Sequence, residues 1–287
     1  MSHRLLQRIA GLPVLPETRT ALALFVEQDW NSSQAINERL RFQAVLETVY
    51  YTFSGDAQSF QPFSVAWIIL RAALLRLDHI QDNDSEFLSD PSLSPSEHYN
   101  LVFTYYVLAG AILDDLDDTI IPVRRIRRLM RMWNDNMLWA ASGQQRDLAT
   151  QGLKDQLETT PEYYQEAIEA KAGAVYALGF GGAGVLATDD QRVVAILSHI
   201  GQLYGLLLQF SDDFLDSTSQ IEPALTLPHV YATARTASGL ALPEHDLQHY
   251  WNHIYKGYFK QIEGLLKPLP AEVQTAVLGV FRSTFAT

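Results

Sequence analysis

Cysteine is absent from all 287 residues, which removes disulfide frameworks, thiolate metal sites and cysteine nucleophiles from consideration. Glycine (16) and proline (12) are too sparse for a collagen-like or loop-rich chain. Positive charge is in deficit: 21 Lys and Arg stand against 33 Asp and Glu, a formal net charge of −12. Binding along a phosphate backbone needs a basic face, so no nucleic-acid partner is expected. Uninterrupted apolar runs are short. The longest, Phe63 to Leu77, is broken by Arg71 and Arg76 and falls below the roughly 20 residues of a membrane span, so no transmembrane segment is expected. Met1 to Gly11 has two Arg and no apolar core, which argues against a secretory leader. The expectation is a soluble, cytoplasmic protein. Apolar residues are plentiful at 47%, enough for a large core.

Helical periodicity dominates that apolar content, and no strand or hairpin pattern is found. Ser64 to Asp82 and Tyr99 to Asp118 read as helices apolar nearly all round, hence central and buried. Val123 to Ala141 follows, with Arg124, Arg125, Arg127, Arg128 and Arg131 at its start. Thr160 and Pro161 form an N-cap and first helical position, opening a helix to about Leu178, where Gly179, Gly181, Gly182 and Gly184 permit close contact or a kink. Gln191 to Asp216 is a long apolar helix, and Pro243 to Leu266 and Ala271 to Phe285 close the chain. No composition shift or internal repeat marks a boundary. The fold class expected is all-α, one domain over residues 1–287 of about ten helices.

Two carboxylate clusters end apolar helices: Asp78-His79-Ile80-Gln81-Asp82 and Asp212-Asp213-Phe214-Leu215-Asp216. In each, carboxylates four residues apart share one helix face and repel unless water or a cation intervenes. Solvated helix ends would explain one such cluster; two with the same spacing favour a hard divalent cation with oxygen ligands, Mg²⁺ above all. A denser run, Asp114 to Asp118, reads as a surface helix end paired with the arginines that follow it. No HExxH, P-loop or dinucleotide pattern occurs.

With Gln209 before it, the second cluster resembles the second aspartate-rich motif of trans-isoprenyl diphosphate synthases. Asp78 to Asp82 resembles the first, with His79 in place of an Asp. Gly143-Gln144-Gln145-Arg146-Asp147-Leu148 is similar to the family's Gly-Gln-x-x-Asp-Leu segment, Lys171 to its diphosphate lysine, and Thr226-Leu227-Pro228 to its Thr-Leu-Pro. Ala172 replaces the usual Thr or Ser beside the lysine. The order and separations agree throughout residues 64–231. The resemblance implies an isoprenoid-synthase bundle around a central cavity, a homodimer, and a Mg²⁺-dependent prenyltransferase acting on an allylic prenyl diphosphate. It implies metal ligation by Asp78, Asp82, Asp212, Asp213 and Asp216. It also implies a leaving-group contact from Lys171, and Gln144, Asp147 and Gln209 near the metal cluster or the allylic cation. The prenyl tail is expected to run down the first-motif helix past Leu74 and Ala73, where the small Ala73 leaves space.

Departures concern the second substrate, isopentenyl diphosphate. Where the family has Gly-Lys-x-x-Arg-Pro, this chain has Asn37-Glu38-Arg39-Leu40-Arg41-Phe42. Only Arg41 is kept, and Glu38 reverses a charge. Ser85 to Leu88 replaces a pair of arginines, Ala224 a lysine, and Arg71 a diphosphate-binding His. Arg41 and Arg71 are therefore the candidate contacts to that substrate. Ionisation of one allylic diphosphate is better supported than elongation. The readings left open are transfer to isopentenyl diphosphate, transfer to a neutral acceptor as in peptide prenylation, class I terpene cyclisation, and a non-catalytic subunit of a heteromeric synthase.

Overall fold

The computed structural model of the protein describes residues 2–28, 33–56, 58–82, 93–150, 160–216 and 246–285. Every regular element among them is helical, in line with the periodicity. The chain divides into two compact units, Met1–Glu47 with Ala57–Asp117, and Thr48–Asp56 with Asp118–Thr287.

The first unit holds α1 (Ser2–Ala10), α2 (Pro16–Gln28), most of α3 (Ser33–Ser54), α4 (Gln61–Gln81) and α5 (Pro95–Leu113). As its all-round apolarity requires, α4 buries Phe63, Val65, Ala66, Trp67, Ile69 and Leu70. Phe42 of α3 meets Trp67 with ring centroids 5.7 Å apart. α5 starts four residues before the expected Tyr99. Ser94 and Glu97 form a capping box: the Glu97 amide donates to the Ser94 hydroxyl, and the Ser94 amide donates to the Glu97 carboxylate at 2.8 Å. α5 also stops at Leu113 instead of Asp118. Consecutive aspartates at the negative end of a helix dipole oppose its continuation. Within this run Asp115 pairs with Arg8 of α1 at 3.2 Å, while Arg124 and Arg125 pair with Asp189.

The second unit holds α6 (Val123–Thr150), α7 (Pro161–Ile168), a π-helical turn (Glu169–Gly173), α8 (Ala174–Ala187), α9 (Gln191–Asp216), α10 (Asp246–Leu266) and α11 (Ala271–Phe285). α6 runs nine residues past its expected end, so the Gly143 to Leu148 segment is helical. α7 begins as expected: the Tyr163 amide donates to the Thr160 hydroxyl at 3.2 Å. The four glycines after Leu178, read as permitting close contact or a kink, lie inside α8 and are all buried. Arg124 and Arg125 clamp the turn into α9. Both donate to the Asp189 carboxylate, and Arg125 also donates to the terminal carbonyls of Leu186 and Ala187 at 3.2 and 2.9 Å. The bonds from Arg124, then from Arg125, hold the Asp189 carboxyl far below the usual carboxylate range.

Two stretches, Glu162–Ala187 and Gln191–Phe214, are long and apolar enough to cross a membrane, contrary to the expectation from Phe63–Leu77. They are 83% and 56% buried inside the protein, the profile of core helices.

Candidate functional site

In the first unit, the end of α4 carries the first acidic pair. Asp78 is half-buried, and Asp82, the C-cap, is exposed; its amide donates back to the Asp78 carbonyl at 2.9 Å. Two carboxylates at a helix C-terminus meet each other's charge and the negative end of the dipole, which a bound cation would relieve. At 100° per residue, Arg71, Leu75, Asp78 and Asp82 fall on one face of α4. Arg71 is half-buried, as is Leu74. Ala73, expected to leave space for a tail, is only 1% exposed. It lies about 140° around the helix from Asp78, on the packed side, whereas half-buried Leu74 lies about 40° from Asp78, one turn before it. Arg41 is exposed, while Phe42 beside it is core. The side chains of residues 25–40, Glu38 and Arg39 included, lie outside those described, as do residues 83–92 with Ser85 to Leu88.

Arg76, two residues before Asp78, is buried at 6% exposure. It donates to Nδ1 of buried His98 at 3.3 Å and sits 5.9 Å from the centre of the Tyr105 ring. That bond keeps the His98 proton on Nε2. The arrangement supplies a buried positive charge to the last turn of α4.

In the second unit, pieces far apart in sequence converge. Lys171 lies in the π-helical turn and its ammonium donates to Asp147 of α6 at 2.7 Å. The two side chains are 18% and 21% exposed, so the pair reaches solvent without being loose. Gly143 makes this possible: a Cβ there would meet the Lys171 amide nitrogen and approach the Ala167 carbonyl oxygen to 2.7 Å. From the other side, a Cβ on Gly205 of α9 would lie 2.6 Å from the Ala172 carbonyl oxygen. The turn bearing Lys171 is thus gripped between two helices at positions where only glycine fits. A π-helical turn inside an α-helix is itself a frequent mark of a functional site.

Farther along α9, Gln209 is half-buried and Asp212 exposed. Asp213, grouped with the metal ligands in the sequence reading, points inward at 6% exposure. It accepts hydrogen bonds from the Tyr164 hydroxyl and, at 2.9 Å, from the Gln209 amide. Asp216 ends α9; its side chain lies outside those described, as do residues 217–245 with Ala224 and Thr226 to Pro228. Gln144 is half-buried on α6, and its neighbour Arg146 pairs with Glu166 at 2.8 Å and covers the Tyr163 ring at 4.7 Å. Tyr164 was not legible from the sequence. Its spacing of seven from Lys171 is a same-face signal, but nothing links it to a partner on α9 until the helices pack.

Among the described residues, no three His, Asp or Glu side chains come together as a ready metal cage. The donor set still fits Mg²⁺: carboxylate oxygens, few per site, with the remaining positions suited to phosphate oxygens or water.

The polyprenyl synthetase family matches residues 34–224. The chain belongs to that family. Solved structures agree on the fold. Geranylgeranyl pyrophosphate synthetase from the archaeon Geoglobus acetivorans superposes with a TM-score of 0.77 at 17% identity, covering 100% of this chain and 96% of that one. Heptaprenyl diphosphate synthase from Staphylococcus aureus gives 0.71 at 15% identity over 99% and 96%. A Helicobacter pylori geranyltransferase, solved with magnesium and isoprenyl diphosphate, gives 0.72 at 14% identity over 99% and 95%. No curated protein matches the sequence. The residues whose sequence resembles the family's motifs lie on α6 (Gly143 to Leu148), in the π-helical turn (Lys171) and at the ends of α4 and α9 (the two acidic clusters).

Proposed function

We propose that this polyprenyl synthetase family member is a Mg²⁺-dependent prenyltransferase that ionises an allylic prenyl diphosphate. The observation that carries the reading is the Lys171–Asp147 pair at 2.7 Å, built by a π-helical turn wedged against Gly143 and Gly205. An allylic C–O bond breaks only when charge on the departing diphosphate is offset. In this reading Asp78 and Asp82 at the end of α4, and Asp212 near the end of α9, each serve as Mg²⁺ ligands, and Mg²⁺ when bound supplies most of that offset. Lys171 adds a compact positive charge to the leaving group. Asp147 holds the flexible lysine stem in place beforehand, so less side-chain freedom is lost on binding. Gln144 and Gln209 offer amide dipoles without a net charge that would trap the cation. In this reading water is kept from the allylic cation until an acceptor reaches it.

The acceptor is isopentenyl diphosphate or a neutral group. Phe42 favours the second: where the family has the proline of its anion-binding segment, this chain buries an aromatic against Trp67, leaving Arg41 and Arg71 as the positionally supported cations. Structural matches along nearly the whole chain support reading residues 1–287 as one domain of this fold. A homodimer fits the outer face of α5, where Tyr99, Phe103, Tyr106 and Val107 are 38–66% exposed at helical spacing. Such an apolar stripe is costly to leave in water.

The decisive experiment incubates purified protein with allylic diphosphates of increasing length, with and without isopentenyl diphosphate, in Mg²⁺ or EDTA. Pyrophosphate release that requires Mg²⁺ is expected. A protein that releases none with any substrate, and binds pyrophosphate equally in EDTA, would be a non-catalytic subunit instead.

A further inference from the structure

The last turn of α9 has a difficult task. It must present carboxylates at a helix C-terminus, where the dipole and the neighbouring aspartates both oppose negative charge, and it must hold them still. The structure meets this from another element. Tyr164, in the first turn of α7, is 2% exposed and Phe210 is 3% exposed; their rings stack at 5.5 Å with planes 25° apart. The Tyr164 hydroxyl donates to Oδ2 of Asp213, and Gln209 Nε2 donates to Oδ1 at 2.9 Å. Both oxygens of Asp213 are therefore engaged inside the second unit. Adjacent residues on an α-helix point about 100° apart, so fixing Asp213 inward fixes the outward direction of Asp212.

We infer that Asp213 is an anchor and not a metal ligand, and that Tyr164 and Gln209 are positioning residues that aim Asp212 through it. The inference rests on the prenyltransferase reading, because it assigns Asp212 to Mg²⁺. Tyr164 itself touches neither substrate nor metal. Its hydroxyl sets how well the end of α9 is ordered before a diphosphate arrives, so its loss acts on metal-dependent binding more than on folding.

The test is calorimetric titration of inorganic pyrophosphate into full-length protein at a series of Mg²⁺ concentrations, well below the melting temperature. Tyr164→Phe keeps the ring and its stack on Phe210. It should raise the Mg²⁺ concentration for half-maximal pyrophosphate binding by about tenfold, the size expected for one hydrogen bond to a charged group. Asp213→Asn should produce a similar shift, and Tyr164→Phe/Asp213→Asn should be no worse than Asp213→Asn alone, since both act through one contact. A Tyr164→Phe protein with the wild-type Mg²⁺ dependence overturns the inference, even if it melts earlier. Additive losses in the double variant overturn it too, because they would make Asp213 a ligand in its own right. Wild-type protein without Mg²⁺-dependent pyrophosphate binding removes the prenyltransferase reading and the inference together. Wild-type binding that Tyr164→Phe leaves unchanged removes the inference alone.

Discussion

At the scale of single residues, Lys171 and Leu74 test the reading most directly. Lys171 is tied to Asp147 at 2.7 Å yet keeps 18% of its side chain exposed, so a phosphate can reach its ammonium group. Lys171→Ala should lower kcat/KM for an allylic diphosphate by about ten- to a hundredfold, the loss of one charge-assisted contact. The melting temperature should change little, because water reaches the Asp147 left behind. Unchanged kinetics would make the pair structural. Leu74, half-buried one turn before Asp78, is the position to use for tail length. Leu74→Phe should shorten the longest allylic substrate accepted, measured by product chromatography. Ala73→Phe should instead destabilise, since Ala73 is packed to 1% exposure and overpacking costs about 1–3 kcal/mol. The residue types of the site were legible in the sequence. Which aspartate of a pair faces out was not, because two adjacent carboxylates in a one-dimensional string carry no direction.

At the scale of elements, the site depends on how closely helices approach. Gly143 on α6 and Gly205 on α9 leave no room for a methyl group against the turn that bears Lys171. Gly143→Ala should therefore lower stability by about 1–3 kcal/mol and reduce allylic turnover as well, whereas Gly264→Ala on α10, where a Cβ meets nothing within 4 Å, should do neither. Thermal melts and steady-state rates on both variants would separate packing at the turn from a general glycine effect. The Arg124 and Arg125 clamp on Asp189 gives a pH signature. The folded-state value of Asp189 lies below its ordinary one, so its contribution is fully present above about pH 3.9 and is lost as the pH falls through the folded value. Asp189→Asn should melt earlier than wild type at neutral pH, with the gap closing in acid and shrinking in high salt. A gap that widened in acid would contradict the assignment.

At the scale of the whole molecule, the open issue is one diphosphate or two. The chain carries a net charge of −12, and two diphosphates bound together need several compensating cations. Arg41 and Arg71 are the positional candidates for the second, with Glu38 set against them in sequence. Isopentenyl diphosphate should therefore bind weakly, with a KM toward the upper end of the usual range, roughly 1 mM, while allylic diphosphate is ionised without it. Glu38→Lys should lower that KM and leave allylic binding unchanged. Elongation at micromolar KM by the wild type would show that other cations complete the site.

The sequence alone determined the helical fold and the family, because apolar period and acidic spacing are local properties written directly in the order of residues. It could also have placed the start of α5, since Ser94 and Glu97 already spell a capping box. It could not place the π-helical turn at Glu169–Gly173, the pairing of Lys171 with Asp147 24 positions away, or the inward turn of Asp213 toward Tyr164 49 positions away. Those are contacts between helices, and their geometry follows from how near Gly143, Gly201 and Gly205 let the backbones come. Only tertiary packing decides that distance, because a glycine reads the same in sequence whether it faces solvent or a neighbouring carbonyl.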